Sequence, residues 1–148
     1  MALELVDYRA DARSWTPFPS STDYEHPHWW ENAGGAVGDP WFVQVLDHGV
    51  EVARVQLDER GGINSSYPVA PAALGGELLE IQFIEVASAS RRRKVATRAV
   101  QALAERHPDR QLMAYSQDAE DFWDSLAGWE RFNHADGRSR PLFIQRPR

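Results

Sequence analysis

Apolar and polar positions alternate in a way that divides the chain into segments, and turn-forming residues mark the joints. Residues 3–9 (LELVDYR) nearly alternate, which predicts an edge strand opening the fold. WFVQVLD (41–47) and VEVARVQLDE (50–59) flank His48-Gly49, where glycine supplies a positive φ, and predict an antiparallel hairpin. In LLEIQFIEVAS (78–88), Leu79, Ile81 and Phe83 fall on one parity and Leu78, Ile84 and Val86 on the other. Both faces are therefore apolar, as in a central strand. Over 91–107 the period lengthens: Val95, Ala96, Ala99, Val100 and Leu103 make one stripe of a helix, ended by Pro108. QLMAYS (111–116) returns to strand, so strand, turn, helix and strand predict a βαβ unit with parallel strands and a right-handed crossover. A second helix is expected over DAEDFWDSLAG (118–128), capped by Asp118, with Ala119, Phe122 and Leu126 inward and Gly128 at its end. Residues 129–133 and 142–145, joined through Asp136-Gly137, read as a final hairpin.

Two stretches break the pattern. Residues 10–40 carry Pro17, Pro19, Pro27, Pro40, Gly34-Gly35, Trp15, Tyr24, Trp29 and Trp30, and read as an irregular, variable part. Residues 60–76 hold four glycines and two prolines and read as a long surface loop, a place where function often sits. At 148 residues the chain is expected to be one domain, 1–148, with a core over 41–148. The fold class is α/β: a mixed, bent sheet with flanking helices and a central parallel strand pair.

Composition narrows the function. No run approaches the ~18 apolar residues of a membrane span, and the acidic N-terminus does not resemble a signal peptide, so a cytoplasmic protein without membrane partners is expected. With no cysteine, chemistry must come from oxygen and nitrogen groups. His26 and His28 lack a third ligand in register, and no metal is expected. The net charge of −6 is uneven: residues 1–90 hold four basic and fourteen acidic side chains, whereas 91–110 hold seven basic and two acidic. A compact basic knot in an acidic protein suits one small polyanion better than the broad positive face that nucleic acid requires.

That knot, in EVASASRRRKVATRAV, follows a central strand and opens a helix. The first-turn N–H groups of a helix lack intrahelical partners and its dipole is positive there, so a pyrophosphate could be held by backbone while Arg and Lys neutralise it. Taken alone, the four cations also fit a solvated helix start or a nonspecific nucleic-acid patch.

The segment resembles the phosphate loop of the GNAT superfamily of acyl-CoA-dependent N-acetyltransferases, (R/Q)-x-x-G-x-(G/A). Val86 matches the apolar strand end, and Arg91-Arg92-Arg93-Lys94-Val95-Ala96 the loop. Downstream, Asp118-Ala119-x-x-Phe122-Trp123-x-x-Leu126-Ala127-Gly128-Trp129 resembles the family's second signature, N-x-x-A-x-x-F-Y-x-x-x-G-F. The resemblance spans roughly residue 41 to the C-terminus. It implies acetyl-CoA as co-substrate, with contacts from Ile84, Glu85 and Val86, from Arg91, Arg92, Arg93, Lys94, Val95, Ala96 and Thr97, and from Trp123. Arg92 and Lys94 stand where many members have glycine, and a helical backbone there would carry a Cβ without strain. Trp123 replaces a tyrosine that protonates the departing thiolate in many members.

Acyl transfer to an amine needs a base, because a protonated amine has its lone pair blocked. Glu80, on the central strand where some family members carry a catalytic glutamate, is the first candidate and Glu85, on the opposite face, the second. An arginine-paired structural carboxylate is the alternative for Glu80. The backbone N–H of Val86 matches the family's oxyanion donor. Tyr115, or failing it Ser116, ends the next strand and could donate the proton that Trp123 cannot; the alternative is a packing tyrosine. The acceptor is a small-molecule or peptide amine. Glu25, Glu31, Asp58 and Glu59 in or beside the loops favour cationic amines. A homodimer is among the expected partners. The rival functions are an acyl-CoA sensor without turnover and, less favoured by the charge layout, a nucleic-acid- or ribosome-associated protein.

Overall fold

The computed structural model describes residues 3–9, 18, 21, 23–26 and 41–147. Among these lie seven strands in one sheet: β1 (Glu4–Arg9), β2 (Trp41–Asp47), β3 (Val50–Asp58), β4 (Glu77–Val86), β5 (Arg110–Tyr115), β6 (Trp129–Phe132) and β7 (Leu142–Gln145). The spatial order is β1-β2-β3-β4-β5-β7-β6. Every pairing is antiparallel except β4–β5, the parallel pair predicted from the βαβ pattern. The fold is thus α/β, as expected. At the β2–β3 turn both His48 (φ 51°) and Gly49 (φ 79°) are left-handed, the geometry of a two-residue hairpin whose twist matches its strands.

Side-chain parity on β5 shows how the sheet is covered. Leu112 and Ala114 belong to the main core with Leu79, Ile81 and the buried stripe of α1 (Val95–Arg106), whereas Met113 points the other way to meet Tyr67, Leu142 and Ile144. The second face is therefore roofed by the 60–76 loop, which is anchored by a buried Tyr67 and is not merely a surface excursion.

Several boundaries differ from the sequence reading. Helix α1 begins at Val95, so Arg91–Lys94 is a turn preceding the helix, and the buried stripe is Val95, Ala99, Val100, Leu103 and Ala104, with Ala96 only half-buried. Helix α2 is short (Glu120–Asp124), and its buried side chain is Trp123. Asp118 does not cap it: the Ser116 hydroxyl accepts the Ala119 N–H (3.2 Å), while Asp118 itself is left-handed (φ 56°). The last two strands are joined by nine residues, where Asp136 accepts N–H bonds from Arg138 (2.8 Å) and Ser139 (2.9 Å). The irregular reading of 10–40, with His28, Trp15, Trp29 and Trp30, falls outside the described residues apart from Phe18, Ser21 and 23–26. Among the described residues no helix is long and apolar enough to cross a membrane, and no cluster of potential metal ligands occurs.

Candidate active site

The parallel pair is brief. β4 and β5 run together only from Glu77↔Arg110 to Glu80↔Met113; beyond that point β4 stays with β3 and β5 stays with β7, and the sheet splits. A bulge helps to open it. Gln56 pairs with Phe83 and Leu57 with Ile81, so Gln82 is an extra residue on β4 and bends that strand just past Glu80. The Ala87 N–H is donated to Val52 O (2.9 Å), so by the alternation of an antiparallel ladder the N–H and C=O of Val86 and Ile84 point away from β3, toward the side β5 has left. The split forms a cleft of about 590 Å³, walled by Ile81–Val86 on one side and by Tyr115, Gln117, Asp118, Ala119 and Trp123 on the other.

At the end of β4 the chain makes a single 3₁₀ turn (Ser88–Ser90) and then the basic turn. Arg92 (φ 67°) and Lys94 (φ 57°) are both left-handed, the conformation natural to glycine. The expectation of helical backbone at these positions is corrected: the glycine-type turn is present with side chains on it, at a cost of roughly 1–2 kcal/mol per residue. The first intrahelical bond of α1 runs from Arg98 N–H to Lys94 O (3.0 Å), so the N–H groups of Val95, Ala96 and Thr97 precede the helical ladder. The Val95 side chain is in the core, which leaves only its backbone for a ligand. Arg92, Arg93 and Lys94 are exposed, and Ala96 and Thr97 are half-buried.

Ile84, Glu85, Val86, Arg91, Tyr115 and Trp123 line the one cleft. The two charged ones are already engaged. Glu85 is buried and accepts the N–H groups of Glu25 (2.8 Å) and His26 (3.2 Å), so it clamps segment 23–26 onto β4 and does not stand as a free base. Arg91 bridges Glu25 (2.7 Å) and lies 3.9 Å from Glu85, and its guanidinium holds the Glu25 carboxyl below its ordinary range. Trp123 packs its indole against Trp129 (5.2 Å) and Phe143 (6.2 Å), forming an apolar wall where a tyrosine hydroxyl would have been polar.

Glu80 sits at the vertex of the split, on the face roofed by the 60–76 loop. It is half-buried, and Gly61 packs against it so closely that a Cβ there would lie 2.6 Å from the Glu80 Cβ. Burial first, and then the neighbouring Asp58 carboxylate, push its pKa up to about 7, against the opposing pull of Arg140. No ion pair of Glu80 occurs among the described residues, so the arginine-paired alternative is not what the structure contains. The Tyr115 hydroxyl donates to Gly62 O (3.0 Å) and accepts the Asn64 N–H (2.9 Å), which fixes the loop over Glu80 and commits the proton that was expected to serve as a cleft acid. Ser116 is fully buried. Sequence reasoning missed the wall made by 23–26 and the proximity of Arg140; the Gly61-Gly62 pair was the only local signal of a close approach to Glu80.

No protein-family model and no curated sequence matches the chain. Solved structures match its fold. An acetyltransferase from Thermus thermophilus aligns over 78% of this chain and 69% of its own, at 12% identity and a TM-score of 0.53. An IAA acetyltransferase from Bacillus cereus ATCC 14579 aligns over 95% and 97%, at 12% identity and 0.53. A GNAT family acetyltransferase from Elizabethkingia anophelis, solved with acetyl-CoA bound, aligns over 96% and 97%, at 10% identity and 0.51. At such identities the likeness is one of fold.

Proposed function

We propose that this chain, which has a GNAT superfamily fold, is an acyltransferase that moves an acetyl group from acetyl-CoA to an amine. One observation carries the reading. The sheet opens directly past a carboxyl group whose pKa is near 7, and the cleft so formed is edged by unladdered β4 amides and lies beside a glycine-type basic turn at a helix N-terminus.

The residues present fit the co-substrate. Turns with left-handed residues aim successive N–H groups into an anion-binding concavity, and those of Val95, Ala96 and Thr97 lie beyond it. Arg92, Arg93 and Lys94 supply cations without ion pairs among the described residues. Ile84 and Val86 offer backbone groups along the cleft, and Trp123 offers an apolar face. Bound acetyl-CoA supplies an acyl group activated as a thioester. Glu80 Oε takes the proton of the incoming ammonium and so frees the nitrogen lone pair; a base near neutrality is matched to that work. The Val86 N–H is the donor available to an oxygen gaining negative charge in the cleft. As the new C–N bond forms and the C–S bond breaks, the second proton that the nitrogen sheds goes to the departing thiolate or to water, and no dedicated acid is required because an ordinary thiol pKa of about 8.5 lets the sulfur leave as an anion. Tyr115 acts as a positioning residue that holds the 60–64 loop against Glu80.

The test is ligand binding followed by turnover. Acetyl-CoA should raise the Tm by mass action, and Ala96→Glu, which places bulk and negative charge in the first turn of α1, should abolish that shift while the apo Tm changes little. An unshifted wild type, or an Ala96→Glu protein that binds as the wild type does, would overturn the assignment of the turn. Release of free CoA in the presence of an amine then tests the transfer itself.

A further inference from the structure

Net charge suggests a cationic acceptor, but three of the four acidic side chains behind that expectation are engaged elsewhere, and the fourth, Glu31, lies outside the described residues. Glu25 pairs with Arg91 (2.7 Å), Glu59 pairs with Arg9 (3.2 Å), and Asp58 is buried, accepting the Arg60 N–H (2.9 Å). The charge acting on Glu80 from beside Tyr115 is a cation. Arg140 lies over the ring of Tyr115, 5.3 Å from its centroid, and its charge acts on Glu80. Its guanidinium forms no ion pair or hydrogen bond among the described residues.

The platform beneath it is built. Tyr115 meets Tyr67 edge to face (5.3 Å), and Tyr67 meets His134 the same way (5.0 Å). The Tyr67 hydroxyl donates to Arg140 O (2.6 Å), and the Ala135 N–H is donated to Ser66 O (2.8 Å), so the β3–β4 and β6–β7 loops are tied together around this point. A guanidinium stacked on an aromatic face is held with its donors outward, in the fork geometry that a carboxylate accepts in two places.

Resting on the acyltransferase reading, we propose that Arg140 determines acceptor specificity by binding a carboxylate carried a few bonds from the amine that Glu80 deprotonates, so that the acceptor is an amino acid or a compound with the same pairing. An amine without that anion meets Glu80 but also the uncompensated repulsion of Arg140. The group that approaches Glu80 with its ammonium and Arg140 with its carboxylate satisfies both.

The experiment compares amino acids with their C-terminal amides in free-CoA release, and in parallel titrates the N-acetyl amino acids and their amides calorimetrically without acetyl-CoA. In the wild type, kcat/KM for the best amino acid should exceed that of its amide by roughly 10- to 100-fold, the worth of a charged hydrogen-bonded pair. Arg140→Met keeps the stem on Tyr115 and removes the charge; it should bring the ratio to near one, and Arg140→Lys should restore part of it. A ratio unchanged in Arg140→Met, or a wild type that prefers amides, overturns the proposal and leaves the acyltransferase reading standing. If the N-acetyl amino acids bind through Arg140 but no acceptor releases CoA, the carboxylate site stands and the acyltransferase reading falls. If neither turnover nor carboxylate-dependent binding occurs, both are overturned.

Discussion

Replacing Glu80 by Gln separates a base from a structural carboxylate through two readouts that move in opposite directions. In the folded protein the Glu80 carboxyl titrates near 7, against an ordinary 4.5, because burial and Asp58 penalise its charged form. A folded-state pKa above the unfolded one contributes stability that is fully present below the unfolded value and lost as pH rises through the folded one. The protein should therefore lose stability on this account between about pH 4.5 and 7. The upper bound of that loss is about 3.4 kcal/mol at 1.36 kcal/mol per pKa unit, and solvent contact at this half-buried site cuts it to about 1–2 kcal/mol. Glu80→Gln keeps the shape and cannot ionise. At pH 8 it should be more stable than the wild type by that amount, a Tm higher by about 2–8 °C for a chain of this size, and the difference should vanish at pH 4.5. Over the same range kcat/KM at neutral pH should fall by about 10²–10⁴, the loss shrinking as pH rises and more amine arrives neutral. Scanning calorimetry at both pH values and initial rates against one acceptor measure the two effects. A Gln variant less stable than the wild type at pH 8 would mean that the carboxylate is stabilised by a partner, ionised at ordinary pH, and unfit as the base.

Lys94→Gly removes a side chain from a left-handed position and should raise the Tm modestly, by relief of roughly 1 kcal/mol. It should also weaken CoA binding more at low salt than at high; calorimetry at two ionic strengths checks both, and salt-independent affinity would remove Lys94 from the cradle. At the far end of α1, the His107 ring packs edge to face on Trp41 (5.3 Å) with a buried Nε2 that has no hydrogen-bond partner among the described residues, and burial, aided by Arg106, holds its pKa down. A depressed folded-state pKa contributes stability present above the unfolded value and lost as pH falls. His107→Phe should therefore flatten the acid limb of the Tm–pH curve between pH 7 and 5, and an unchanged limb would assign that loss to other groups.

Where periodicity is long and punctuated, residues and elements agree. The hairpin around His48-Gly49, the two-faced β4 and the parallel pair follow from local pattern, because each is dictated by neighbours in sequence. Sequence and structure part where the decisive contact is distant. Asp118 looks like a cap by residue type, yet Ser116, buried at the strand end by Pro141, reaches the free amide first. Glu85 looks like a spare base because nothing local shows that the backbone of 25–26 folds down onto it across sixty residues of chain. Arg140 carries no signal at all, since its position over Tyr115 is set by the closure of two loops.

The basic turn shows what a motif can and cannot transmit. The family pattern contains glycines, and their absence at Arg92 and Lys94 suggests a backbone that has changed with them. It has not: both residues take up the left-handed conformation that glycine would adopt. Nothing about starting a helix demands this, since helices begin readily from an extended residue with a short polar cap, and Lys94 at the N-cap has no side-chain cap bond. The strain is imposed from outside the turn. Asp23 accepts the N–H of Ser88 with its carbonyl (2.7 Å) and that of Ala89 with its carboxylate (3.3 Å), and Val95 is locked in the core four residues after Arg91, so the chain has little length in which to reverse from β4 into α1. A turn so pinned keeps its shape under varied side chains. That is why a glycine-type turn is kept here with Arg92 and Lys94 on it, and why both side chains stay exposed.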